Sequence, residues 1–302
     1  MKRRLRSPSK TLEKLGIFLL TLFAAVSAVI FLLPTVLTIS NSFMAQSEIN
    51  ANYGIVFSSI TGGGKTYISD RVNLKFIPDM VSFSQYFSVL LKTPDYLLKF
   101  WNSMLLTVPV VVFQTAVALF ASYGFARLTG RLKEIIFFLY IILMLMPYQV
   151  TLVPNYLVAD KLGLLNTRWS IILPGIFSPF AVFLLTKAMK RIPKTYFEAA
   201  MLDGANEFGI FTEICFPMVR SAVFSVLMLV FIDYWNMVEQ PLILLTDEQL
   251  HPLSVFLSKI NTGDTGLAFA VAVIYMTPSL LMFLYGEEYL VEGITYSGGI
   301  KG

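Results

Sequence analysis

Residues 15–39 are apolar almost throughout, broken by Gly16 and Pro34 and a few small hydroxyl residues. No other feature narrows the folding options as much. About 20 apolar residues cross the ~30 Å hydrocarbon layer of a bilayer, and inside it every backbone N–H and C=O must be bonded within its own helix or a closed barrel. The apolar core of a cleaved signal peptide is shorter, about 7–15 residues. The stretch therefore reads as a transmembrane helix. Five more apolar runs follow, at 100–126, 134–158, 170–189, 219–245 and 267–290. The expected fold class is an all-α membrane protein with six transmembrane helices. Composition agrees: 56% of residues are apolar and 14% charged, against about 25% charged in soluble domains.

The charges orient the chain. Residues 1–14 carry six Lys and Arg with only Glu13 opposing. Six spans put both termini on one side. If the basic amino terminus is cytoplasmic, fifteen of the 23 basic residues fall inside: those six, Arg127, Arg131, Lys133, Lys187, Lys190, Arg191, Lys194, Arg220 and Lys301. Five of the other eight lie in the long first loop, which counts for little in the positive-inside rule. Orientation rather than nucleic-acid binding thus accounts for the net charge of +4. The expected segments are a cytoplasmic tail at 1–14, a first span at 15–39, and an external loop at 40–99 containing an interfacial helix. A five-helix core at 100–291 and a cytoplasmic tail at 292–302 complete the chain.

In the external loop, Gly62, Gly63, Gly64, Lys65 and Thr66 mimic the end of a phosphate-binding loop, but Ser59 stands where that pattern needs Gly. The segment reads as the turn of a hairpin pairing 53–60 with 65–72. Across 82–99, Phe83, Tyr86, Phe87, Leu90 and Leu91 recur at helical spacing and predict an amphipathic helix at the outer interface. Cys215 is the only cysteine and His251 the only histidine. Neither an intramolecular disulfide nor a structural zinc site is expected, and no metal or other cofactor is assigned to the chain.

A polar island interrupts the apolar runs at 197–217. Thr195 and Glu198 have capping-box spacing, so a helix is expected to start near Thr195. Phe197, Ala200, Met201, Ala205 and Phe208 form one apolar face, and Ala199, Ala200, Gly204 and Ala205 are small enough for close approach of another surface. From the residues alone, a helix lying on the membrane surface and a docking knob for a soluble partner stand equal.

Glu198, Ala199 and Ala200, then Gly204, Ile214 and Pro217, have the spacing of the EAA signature. The chain resembles the permease subunits of ABC importers, with Phe216 where that family usually has Leu. Asn102–Ser103, Met146–Pro147, Pro154, the LGLLNT segment at 162–167, Pro174, Trp235–Asn236 and the closing GGIKG at 298–302 are similar to the carbohydrate-importing, maltose-type branch. The resemblance implies the ABC importer type I permease fold in a bacterial plasma (inner) membrane. It implies a coupling helix at about 195–209 that docks on a cytoplasmic ATPase through Phe197, Glu198, Ala199, Ala200, Met201, Asp203, Gly204 and Ala205. It implies a carboxy-terminal ATPase contact through Gly298, Gly299, Ile300, Lys301 and Gly302. The partners it implies are a second, homologous permease subunit forming a heterodimer, two ATPase subunits that bind ATP and Mg, and an external solute-binding protein that delivers a sugar.

Ionisable residues within a span are costly and mark pathways. Asp233, Tyr234, Trp235, Asn236, Glu239 and Gln240 cluster in one apolar run, with Asp233, Asn236 and Gln240 spaced to share a helix face. They are the expected sugar pathway. Gln149 and Asn155, in the run that carries Pro147 and Pro154, add to it. The structural alternative is polar groups joining helices. Other classes are an importer for a non-sugar solute, an ion-coupled secondary transporter, whose paired intramembrane charges and repeated halves are not evident, and a membrane-embedded enzyme. The chain is expected not to be an enzyme.

Overall fold

The computed structural model describes residues 10–52, 74–258 and 265–298. The expected hairpin at 53–72 with its glycine turn, residues 1–9, and Gly299, Ile300, Lys301 and Gly302 lie outside the described residues. The chain divides into two compact units, residues 1–92 with 261–273, and residues 93–260 with 274–302.

In the first unit, α1 (Lys10–Ser42) is a helix of 33 residues. The hydroxyls of Thr21 and Thr38 donate to the carbonyls of Ile17 and Pro34, each at 2.9 Å, so an apolar helix carries no stray donor there. Its large side chains stand outward, Phe31 at 83% exposure, as a lipid-facing helix requires. A short α2 (46–52) follows. Met44 and Ile49 are fully buried with Phe269 against them. Ser82 N donates to Phe43 O at 2.7 Å beside a single antiparallel bridge between Met44 and Val81. The Glu48 carboxylate accepts from Asp79 N at 2.8 Å and pairs with Lys75 Nζ at 3.1 Å.

The helix expected over 82–99 does not run through. α3 (Ser84–Phe87) passes into a widened turn, Ser88–Lys92, and ends there. Pro94 opens the next helix, where its missing N–H costs nothing, and pushes Thr93 out of the helical region. Residues 94–99 are therefore the first turns of α4 (Pro94–Arg127).

The second unit is built on α4. Around it are α5 (Arg131–Met144), α6 (Tyr148–Lys161), α7 (Trp169–Gly175), α8 (Pro179–Met189) and α9 (Lys194–Leu202). Then come α10 (Glu207–Gly209), continuing through a widened turn Ile210–Cys215 into α11 (Phe216–Trp235), followed by α12 (Glu239–Leu244) and α13 (Leu253–Ser258). The last helix, α14 (Thr265–Gly298), has its first residues in the first unit and the remainder in the second. α4 packs on α7, α8, α11 and α13. Leu106, Val110, Ile171, Ala181, Leu185 and Val226 are among the buried side chains of this core. Ser122 Oγ donates across it to Val182 O at 2.9 Å. By length and composition, α1, α4, Trp169–Met189, Glu207–Trp235 and Leu267–Tyr289 can each cross a membrane, and α5 with α6 makes a sixth crossing if counted as one bent span.

Three expected spans are interrupted, two of them beside a proline that explains the break. The 134–158 run turns by 102° between α5 and α6. Pro147 is extended there, at φ −60° and ψ 139°, and disfavours helix at Met146. The 170–189 run breaks before Pro179, where Ser178 is extended and its hydroxyl caps α8 by accepting from Ala181 N at 3.3 Å. The 219–245 run stops at Trp235 and restarts at Glu239. Pro217 at the head of α11 is tolerated because the preceding turn is widened and asks no donor of it.

Candidate functional site: the polar island and the broken fifth span

The polar island folds as two helical pieces rather than one helix over 195–209. The predicted capping box is not formed: α9 begins at Lys194 with Pro193 as its N-cap and no side-chain cap bond. Pro193 supplies the extended N-cap residue two positions before Thr195, so Thr195 cannot serve. The end of α9 is chemically clear. Gly204 N donates to Met201 O at 3.1 Å, and Ala205 N to Ala200 O at 3.0 Å. This is a Schellman closure, with Gly204 at φ +83° in the position that demands left-handed backbone. Asn206 then caps α10, its side chain accepting from Gly209 N at 2.7 Å.

The expected apolar face divides. Phe197 and Ala200 are buried against the core, as are Ile210 and Phe211 beyond them. Met201, Ala205 and Phe208 face outward with Glu198, Ala199 and Asp203. The most prominent apolar side chain is Leu202, 89% exposed. The sequence reading passed over it, although it lies one turn from Phe197 and Glu198. A second feature was beyond sequence spacing. Arg127, at the end of α4, pairs with Glu207 at 2.7 Å, and Tyr123 donates to the same carboxylate at 2.5 Å.

The opposite end of α4 holds another loop. Asn102 Nδ2 donates to Gln249 O at 2.5 Å and to His251 O at 3.2 Å, while its Oδ1 accepts from Arg168 at 2.7 Å. Ser103 Oγ accepts from Leu253 N at 2.9 Å. The LGLLNT segment joins in: Asn166 accepts from Asp247 N at 2.8 Å and donates its own N–H to Leu244 O at 2.9 Å. Its Gly163, at φ +65°, closes α6 with the same Schellman bonding seen at Gly204. α4 has 34 residues and is thus about 50 Å long, so the 194–216 and 245–253 loops lie a membrane's thickness apart.

The expected pathway residues separate into two groups. Trp235 is only 1% exposed, its indole donates to Tyr275 O at 3.0 Å, and its faces stack on Phe231 and Tyr275 at 5.4 and 5.7 Å. A ring covered on both faces offers no platform to a sugar, so Trp235 is a packing residue here. Asn236 is also engaged, donating to Ile232 O at 2.7 Å and accepting from Tyr275 Oη at 2.6 Å. Because α11 ends at Trp235, Asp233, Asn236 and Gln240 do not share one continuous helix face. Asp233 and Glu239 remain exposed. Tyr234 is half-buried, and its phenol lies over Gly175, where a Cβ would come within 2.9 Å of the oxygen. α12, carrying Glu239 and Gln240, packs on α6, which carries the exposed Gln149 and half-buried Asn155. The fold thus brings the broken ends of the third and fifth runs together. Among the described residues, no group of three or more His, Cys, Asp or Glu is placed to hold a metal ion.

Residues 88–287 match the model of the family described as binding-protein-dependent transport system inner membrane component. The chain is 28% identical to the arabinooligosaccharides transport system permease protein AraQ of Bacillus subtilis strain 168 over 94% of its length and 95% of that protein. It is 34% identical to the probable ABC transporter permease protein YurM of the same organism, over 67% of this chain and 69% of that one. Among solved structures it is similar to a chain of a bacterial ABC transporter involved in the import of the acidic polysaccharide alginate, at a TM-score of 0.74 and 20% identity, covering 94% of this chain and 99% of that one. On the match across 200 consecutive residues, the chain belongs to the family of inner membrane components of binding-protein-dependent transport systems.

Proposed function

We propose that the chain is one permease subunit of an ATP-driven importer whose substrate is a sugar or oligosaccharide delivered by an external binding protein. The observation that carries this reading is the near full-length similarity to an arabinooligosaccharide permease, joined to a two-piece loop that presents Leu202, Met201 and Phe208 outward. Exposed apolar side chains grouped with Glu198 and Asp203 suit a cleft on a soluble ATPase. In this reading the 194–216 loop and both termini are cytoplasmic, the ATP and Mg belong to two partner ATPases, and a second permease completes the pathway. Asp233, Glu239, Gln240, Gln149 and Asn155 line that pathway at the junction of α6, α11 and α12. Trp235 and Asn236 fix its wall from behind.

ATP binding closes the ATPase pair and carries each docked loop with it. The loops displace the helices that bear them, and the paired permeases pass from inward-facing to outward-facing. ATP acts only through its preference for the closed state. Uptake of labelled oligosaccharides by membrane vesicles tests the reading. It should require the binding protein and internal ATP and survive an uncoupler. Uptake that collapses with the ion gradient and ignores ATP would refute it, and uptake of amino acids or peptides alone would refute the sugar assignment.

A further inference from the structure

Arg127 ends α4 and is not among the motif residues that carry the resemblance to the permease family. Its Nη2 donates to Glu207 Oε1 at 2.7 Å and its Nε to Oε2 at 3.4 Å. Tyr123, one turn earlier, donates to Oε2 at 2.5 Å. The same guanidinium lies 4.8 Å from the centre of the Phe197 ring, and Nη2 is 3.8 Å from Met201 Sδ. Phe211, from the widened turn, packs on Phe120 and Tyr123 at 5.2 Å each. Three separate pieces of the island, α9, α10 and the turn before α11, therefore converge on the last turns of α4. A planar fork is the group that can bond a carboxylate at two points while resting on an aromatic face.

We propose that Arg127 is the positioning residue that makes the 194–216 loop and α4 move as one body, so that a push on the loop is delivered to the helix at the centre of the second unit. The proposal rests on the importer reading and adds the route by which the push leaves the loop. α9 is bounded by the extended Pro193 and the left-handed Gly204, and the apolar burial of Phe197 and Ala200 is non-directional and sets no register by itself. The Arg127–Glu207 bond, with side chains 23% and 61% exposed, ties α10 to the end of α4, and the Phe197 ring and Met201 sulfur against the same guanidinium tie α9 to it. A pair so exposed contributes little to global stability. α4 stays packed through Leu106, Val110 and Ala118 without it. Transmission and folding are therefore separable.

The test uses the whole complex carrying R127E, E207R, R127K, E207Q or the R127E/E207R double variant. Solute moved per ATP hydrolysed is read beside the amount of complex recovered. Single reversals should lower that ratio at least tenfold with recovery and ATP hydrolysis retained. The double variant should regain at least a third of it, and R127K should fall between. Variants that lose uptake and hydrolysis in parallel, or that keep the wild-type ratio, overturn the proposal. Amide exchange over 203–209 gives a readout independent of transport: it should rise in E207Q, and unchanged exchange overturns the latch itself. Absence of ATP-dependent uptake in the wild-type complex would instead overturn the importer reading and leave the exchange result standing.

Discussion

Substituting Gly204 separates two reasons for a glycine in the signature. A Cβ added there meets nothing within 4 Å. The obstacle is the backbone, held at φ +83° between the Met201 and Ala200 carbonyls. An L-residue with a side chain pays roughly 1–2 kcal/mol in that left-handed conformation, which lowers the population of the native turn about 5–30-fold. Asn tolerates it through local hydrogen bonding, and a β-branched residue tolerates it least. The expected order of uptake is therefore Gly204 above G204N, then G204A, then G204V. If the glycine served close approach of a partner, size would rule and G204N would fall below G204A. Uptake and ATP hydrolysis in vesicles with matched amounts of chain, with amide exchange at 203–206 beside them, decide the order. Asn at or below Ala would refute the backbone argument.

The other perturbations address packing, pathway and pH. W235A removes a fully buried indole and its bond to Tyr275 O, so it should cost about 3–5 kcal/mol and lower both the melting temperature and the amount of chain in the membrane. D233N changes an exposed carboxylate and should alter uptake at an unchanged melting temperature; early melting would mark Asp233 as structural. Glu48 has its carboxyl held below the ordinary range, first by the N–H of Asp79, with burial opposing, and further by Lys75 and the N–H of Met80. The folded value is depressed, so the anchor is intact above the ordinary carboxyl range near pH 4.5 and is lost as pH falls through the lowered value. Amide protection over 74–81, corrected for intrinsic exchange, should drop in that acidic window and be absent at neutral pH in E48Q. Protection that holds in acid would contradict the assignment.

Much of the site was legible in the chain, for reasons that differ by residue. Glu198 to Gly204 were found through the spacing of the signature, although Gly204 was read there as room for another surface and the fold uses it as a left-handed cap. The breaks at Pro94, Pro147 and Pro179 are local ones, which proline chemistry forces and which a count of apolar residues smooths over. Leu202 was missed because apolar periodicity assigns a side chain to a face without saying which side of that face is covered. Trp235 and Asp233 are two residues apart, equally plausible as sugar contacts, and end in opposite environments because Phe231 and Tyr275 enclose the indole.

By itself the sequence determined that the chain folds as apolar helices long enough for a bilayer, where those apolar runs lie, and where a signature loop lies. Those properties follow from the transfer of apolar length into lipid and from backbone bonds that close within a few residues. Only the tertiary structure decided that Arg127 meets Glu207 eighty positions later, that Asn102 and Ser103 hold the 245–253 loop, and that α12 packs on α6. Such pairings depend on how helices pack across one another. That packing is set by the shape of buried side chains drawn from distant segments, and no local bonding rule encodes it.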